Sequence, residues 1–148
     1  MAQSSDGIQR EVWEHLKDRQ SAYLATAEGD QPRVRPVTLL DVDEKFWIAT
    51  GTRSQKARQI RRNPNVEICI PLGDQESSGY IRIAGVASVV HEDALRQSIG
   101  EKFGYFGQFW SDSEDADYTL LRIRRVEIEY MRPGENDAHT FIVRPGSP

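Results

Sequence analysis

Residues 21–50 read SAYLATAEGDQPRVRPVTLLDVDEKFWIAT, and this stretch decides the architecture. Three short runs of strand-forming character, SAYLATA, RVRPVTLL and KFWIAT, are separated by the turn-prone segments EGDQP and DVDE. The simplest reading is three antiparallel strands joined by tight turns. A doubly wound parallel sheet needs a crossover, usually a helix, between successive strands, and these connections leave no room for one.

On the N-terminal side, Ser4, Ser5 and Asp6 are candidate caps. Ile8, Val12 and Leu16 recur every four residues, which predicts an amphipathic helix ending near Arg19. On the C-terminal side, Thr52-Arg53-Ser54-Gln55 spells a capping box with Thr52 as N-cap, and Asn63-Pro64 stops the helix, giving a span of Thr52 to Arg62. The strands VEICIP and YIRIAGVASVV pair across the polar loop Gly73 to Gly79, with Gly85 marking a bulge or bend.

His91 to Phe103 reads as a further helix with Gly104 as its C-cap, followed by the aromatic run Tyr105, Phe106, Phe109 and Trp110. After the acidic loop Ser111 to Asp117 come a long strand, Tyr118 to Met131, and a β-like tail, His139 to Val143. Strands outnumber helices and most are tightly connected. The expected fold is mainly β (α+β), a closed or nearly closed antiparallel barrel with short flanking helices, in a single domain over residues 1–148 with its core at about 8–131.

Composition narrows the function. The 148 residues carry a net charge of −4, which argues against a nucleic-acid binder, since affinity for a phosphate backbone comes from a broad excess of Lys and Arg. No run is long and apolar enough for a membrane span, and MAQSSDGIQREVWEHL lacks a signal-peptide core, so a cytoplasmic protein is expected. The single cysteine, Cys69, excludes an internal disulfide and multi-thiolate zinc, and His15, His91 and His139 lack ligand spacing, so no metal is expected. Any anion must be met by a local cluster.

That cluster is TGTRSQKARQIRR, residues 50–62. Arg53 and Lys56, read in the first turn of a helix, oppose the macrodipole by about 0.3–1 kcal/mol each, and a bound anion reverses that sign. Free helix amides, the hydroxyls of Thr52 and Ser54 and the Lys56 ammonium are the groups a phosphate monoester requires, each charge-assisted bond contributing about 1.5–3 kcal/mol. Arg58 and Arg62, one turn apart, read as a solvated face. A second cation is Arg35 in PRVRPV, on a strand whose Pro36 lacks a ladder donor and so points to an edge or bulge that a ligand can approach.

These residues resemble the pyridoxamine 5′-phosphate oxidase-like family of FMN-binding split barrels, over roughly Ile8 to Met131. The family's P-x-x-R-x-V strand reads here as Pro32, Arg35 and Val37, its strand ending in Thr as Thr50, and its S-R-K-x-x-x-I-x-x-N-P helix start as Ser54-Gln55-Lys56 through Ile60 to Asn63-Pro64. The resemblance implies Arg35, Ser54 and Lys56 as phosphate ligands and Thr50 beside the flavin ring edge. Gln55 replaces the family arginine, and Arg53 is the candidate substitute. Leu40 and Tyr80 stand where the pyridoxamine phosphate oxidases carry lysine and glutamine, and their C-terminal W…R-L-x-D-R signature has no counterpart after Met131.

The chain is thus similar to the shorter general-stress-protein-like branch, and the resemblance implies an FMN-dependent oxidoreductase acting on a small molecule rather than pyridoxamine phosphate oxidation. It also implies a homodimer with flavin at the interface, with Trp110 either near the partner's flavin or in ordinary packing. Two other readings stay open on the residues: another redox cofactor on the same barrel, a deazaflavin or haem, and a non-catalytic flavin-binding or sensing module.

Overall fold

The computed structural model describes residues 5–144. Helix α1 (Ser5–His15) precedes strands β1 (Arg19–Glu28), β2 (Gln31–Val42) and β3 (Lys45–Gly51), helix α2 (Gln55–Arg62), and strands β4 (Asn65–Gly73) and β5 (Ser78–Val89). Helix α3 (Asp93–Gly100), a 3₁₀ turn at Glu101–Phe103, the short α4 (Phe106–Phe109), β6 (Tyr118–Met131) and β7 (Ala138–Ile142) complete it. The candidate cap Ser4 lies outside the described residues.

The three leading strands form as read. β1 pairs antiparallel with β2 from Arg19↔Leu40 to Glu28↔Gln31, and that first pair ends α1 at His15, four residues short of the expected Arg19. The β2–β3 turn puts Asp43 and Glu44 both at positive φ (55° and 58°), the two-residue geometry whose twist matches that of the strands it joins. β3 then crosses to β6, from Phe46↔Ile123 to Gly51↔Tyr118. This pairing closes the ring β3-β2-β1-β4-β5-β6, a six-stranded antiparallel barrel, with β7 attached to the outer end of β6.

Side-chain alternation builds two cores from the same strands. Leu24, Leu39, Phe46, Ile48, Ile68, Ile83 and Leu121 point into the barrel, where Ile8 and Val12 of α1 join them. Their neighbours Leu40, Trp47, Ala49, Tyr118 and Leu120 point outward, under Ile99, Phe103 and Trp110. KFWIAT is buried on both faces for this reason. The bulge at Gly85 is also present, with the extra residue on β6: Ala84↔Glu127 is followed by Val86↔Arg124, and Arg125 takes a φ of 55°. A Cβ at Gly85 would lie 2.7 Å from the Arg124 carbonyl oxygen, so the close approach of the two backbones requires glycine.

Two further local readings are corrected. The α2 helix begins at Gln55 with Ser54, not Thr52, as its N-cap, and Ser54 Oγ accepts from the Ala57 N–H at 3.1 Å. Thr52 Oγ1 instead donates to the Ala116 carbonyl at 2.9 Å and hydrogen-bonds Thr119 Oγ1 at 2.8 Å, so β6 draws it away from the helix. The predicted helix His91–Phe103 is shorter in its α part, Asp93–Gly100, and Gly104 ends the following 3₁₀ turn at φ 79°.

Candidate functional site

The barrel opens where two strands part. β2 and β3 pair only from Leu40↔Trp47 to Val42↔Lys45; beyond that, β3 follows β6 while β2 follows β1. Between the separated segments lies a cavity of about 430 Å³, walled by Pro36, Val37 and Thr38 on one side and Ala49, Thr50 and Gly51 on the other. Lys56 of α2 and the aromatic side chains of Tyr105, Phe109 and Trp110 complete its lining. That volume is typical of a small-molecule site. Pro36 sits where β2 has parted from β3, leaving one strand edge unpaired, as its missing N–H requires.

Charge is distributed unevenly around this cavity. No Asp, Glu or His is among its lining residues. Lys56 is half-buried, and burial first, then the positive charge of Arg35, push its ammonium below the ordinary lysine range. Arg35, also partly buried, is shifted down by burial and then by Arg33. Neither has a carboxylate within ion-pair distance among the described residues, so two desolvated cations lie close together with no counter-ion.

Arg35 is nevertheless firmly held. Its Nη1 donates to the Leu24 carbonyl (3.2 Å) and Thr26 Oγ1 (2.8 Å), and its Nη2 to Gln59 Oε1 (2.7 Å). At the helix start, Thr50 Oγ1 and Ser54 Oγ are hydrogen-bonded at 3.0 Å, which ties the end of β3 to the α2 cap. The Gln55 and Lys56 amides have no protein acceptor among the described residues, and the dipole adds positive potential there.

Of the residues expected at a cofactor site, Arg35, Val37, Thr50, Ser54, Lys56 and Trp110 are gathered at or beside this cavity. Thr52 faces β6 instead. Arg53 precedes the helix rather than occupying its first turn; its side chain is 89% exposed and its Nε lies 3.7 Å from Asp117. Tyr80 is remote from the cavity, at the start of β5, where its hydroxyl donates to Glu129 at 2.8 Å. Trp110 is buried among Phe106 and Tyr118, its Nε1 donating to the Asp117 carbonyl at 3.0 Å, so it packs the outer core while also lining the cavity. Arg58, Arg61 and Arg62 are exposed on the other side of α2. Cys69 has Arg82 opposite it, yet burial still pushes its thiol up, which leaves it a poor nucleophile.

Sequence reasoning missed Thr26 and Gln59, both 4% exposed, which hold Arg35. Each carried a signal. Thr26 continues the inward alternation Ala22, Leu24, and Gln59 is a polar residue beside Ile60 on the buried side of α2. The aromatic wall of Tyr105 and Phe109 was visible as a cluster but not as part of the cavity.

A family model for pyridoxamine 5′-phosphate oxidase matches residues 8–132. The chain belongs to that family. Its barrel is the family's split barrel, and its affinity within the family is to the general stress protein 26 branch. General stress protein 26 of Bacillus subtilis is 26% identical over 130 residues, covering 86% of this chain and 91% of that protein. A solved NimC/NimA family protein from Clostridium acetobutylicum superposes with a TM-score of 0.73 at 26% identity, covering 90% of this chain and 91% of that one. The fold extends to a haem-binding protein from Mycobacterium smegmatis (TM-score 0.67, 17% identity, 82% of this chain and 52% of that one). Among the described residues, no helix is long and apolar enough to cross a membrane.

Proposed function

We propose that this chain binds FMN in the cavity between β2 and β3 and works as a flavoprotein oxidoreductase on a small molecule. The observation that carries the reading is a slot lined by Lys56 and by the aromatic side chains Tyr105, Phe109 and Trp110, with Arg35 close to Lys56, the two cations partly buried and without a carboxylate partner among the described residues. A planar ring with a phosphate tail suits a cationic and an aromatic lining at once. Arg35, Lys56, Ser54 and the first amides of α2 would hold the phosphate, and the ring would lie between Val37 and Thr50 against Tyr105 and Phe109. No His, Cys or Met lines the cavity, and of the usual haem ligands only the Tyr105 phenol is among these residues.

When bound, FMN supplies the hydride or electron transfer itself. The protein's share is to fix the phosphate, orient the ring and exclude water with the aromatic wall. The Tyr105 hydroxyl, hydrogen-bonded to Thr38 and pushed above its ordinary range by burial, remains a neutral donor at the slot's edge. A homodimer is part of the proposal: Tyr23 and Val34, 48% and 70% exposed, stand on β1 and β2 beside the cavity mouth, an apolar surface suited to a second copy.

The test is titration of the purified protein with FMN, followed by quenching of flavin fluorescence. Saturable quenching supports the reading, and its absence refutes it. Reduction of the bound flavin by NADH or NADPH, followed by stopped flow, supports an oxidoreductase; flavin that stays oxidised with every donor points to a sensing module.

A further inference from the structure

In a protein with 23 Asp and Glu residues, Arg35 is held by three neutral oxygens. The arrangement continues beyond them. Thr26 Oγ1 donates to Gln59 Oε1 at 2.6 Å, and on the far side Gln59 Nε2 donates to Glu28 Oε2 at 3.4 Å. Glu28 is itself paired with Arg33 at 2.9 Å. The buried Gln59 amide therefore stands between a cation and a carboxylate, oxygen toward one and N–H toward the other. Both neighbours dictate that orientation, because Arg35 has only donors and ionised Glu28 only acceptors.

This geometry has two effects. Thr26 Oγ1 and Gln59 Oε1, bonded to each other, occupy the Nη1–Nη2 end of the guanidinium. Nε–H and one Nη2 proton remain along the adjacent edge, without partners among the described residues, and that edge matches two oxygens of a phosphate. Second, a neutral acceptor satisfies Arg35 without cancelling its charge. A carboxylate in the same place would pair with the guanidinium, and an incoming anion would have to displace it or share it.

Resting on the anion site argued above, we propose that Gln59 is a positioning residue that sets charge specificity. It aims the Arg35 fork and keeps Glu28 one hydrogen bond away, so that the cavity takes a phosphate monoester in preference to the same ring system without its phosphate.

The test exchanges the two groups. The double variant Glu28→Gln with Gln59→Glu leaves the net charge unchanged and moves the carboxylate one hydrogen bond closer to Arg35. FMN and riboflavin are titrated by fluorescence quenching, and the ligand-free melting midpoint is recorded. The expected result is FMN affinity weakened by about tenfold or more, riboflavin affinity within about twofold of wild type, and an unchanged or raised midpoint. Wild-type FMN affinity in the exchanged variant, or equal weakening of both ligands, overturns the proposal.

Glu28→Gln alone alters an exposed side chain and serves if the exchange does not fold. Removing the distal carboxylate should tighten FMN by about twofold to threefold at low salt, and unchanged or weakened binding overturns the role. Wild-type protein that binds neither FMN nor inorganic phosphate overturns the cofactor reading itself, whereas tight wild-type FMN binding with an indifferent exchange variant overturns only the role of Gln59.

Discussion

Lys56→Ala should weaken FMN binding while leaving the ligand-free protein at least as stable. Lys56 is half-buried, has no counter-ion and lies within the field of Arg35, and both effects push its ammonium pKa down. Its charge is therefore a liability until an anion arrives. With phosphate bound, the substitution removes one charge-assisted hydrogen bond, about 1.5–3 kcal/mol, or roughly tenfold to a hundredfold in Kd. Without ligand, it removes a desolvated cation and a like-charge repulsion, so the melting midpoint should hold or rise. Arg58→Ala is the control: Arg58 is exposed on the other side of α2, and its loss should change either quantity by no more than about 0.5 kcal/mol. The assay is paired FMN titration and ligand-free thermal melting of both variants at two ionic strengths. Equal losses of affinity in the two variants would show that the helix acts as a diffuse basic field. A destabilised Lys56→Ala protein with intact FMN affinity would show that Lys56 has a structural role instead.

Other perturbations probe the frame around the site. Burial, then the neighbouring Glu44 carboxylate, raises Asp41 from 3.8 to about 6. The native state therefore holds a proton that the unfolded chain has released, and its stability is full below about pH 4 and falls as pH rises through about 6. For this half-buried group the loss is about 1–2 kcal/mol after screening; Asp41→Asn should recover it at pH 7.5, raising the midpoint by about 2–4 °C per kcal/mol, and change little at pH 4. Gly85→Ala forces a methyl against the Arg124 carbonyl and should destabilise by about 1–3 kcal/mol, measured by urea unfolding. Val34→Glu with Tyr23→Glu should shift sedimentation from dimer toward monomer; a sedimentation profile identical to wild type would refute the proposed interface.

The legible parts of the fold were those with local causes. Tyr118–Met131 is a strand over the span expected from sequence because an acidic loop bounds it on one side and Pro133-Gly134 on the other. The tight turns after Glu28 and Val42 and the bulge partner Gly85 were likewise readable. The cap of α2 was not. Thr52 and Ser54 are both competent N-caps, and the choice between them depends on Ala116 and Thr119, more than sixty residues away along the chain. The basic segment announced an anion site, yet no local feature says that Lys56 turns inward while Arg53 swings out to Asp117.

Side-chain alternation, turn residues and the placement of cations belong to the chain itself, because each depends on neighbours a few positions apart. From them come the antiparallel strands, the helix stops and the expectation of a bound anion. The parting of β2 from β3 is different: it exists because β3 closes the ring on β6, a pairing between segments some seventy residues apart. That closure opens the cavity, brings the aromatic run of residues 105–110 to its lining, and lays Gln59 against Arg35. Burial, and the absence of a counter-charge, are properties of the folded surroundings, so which arginine becomes a ligand-ready cation is settled only when the barrel is closed.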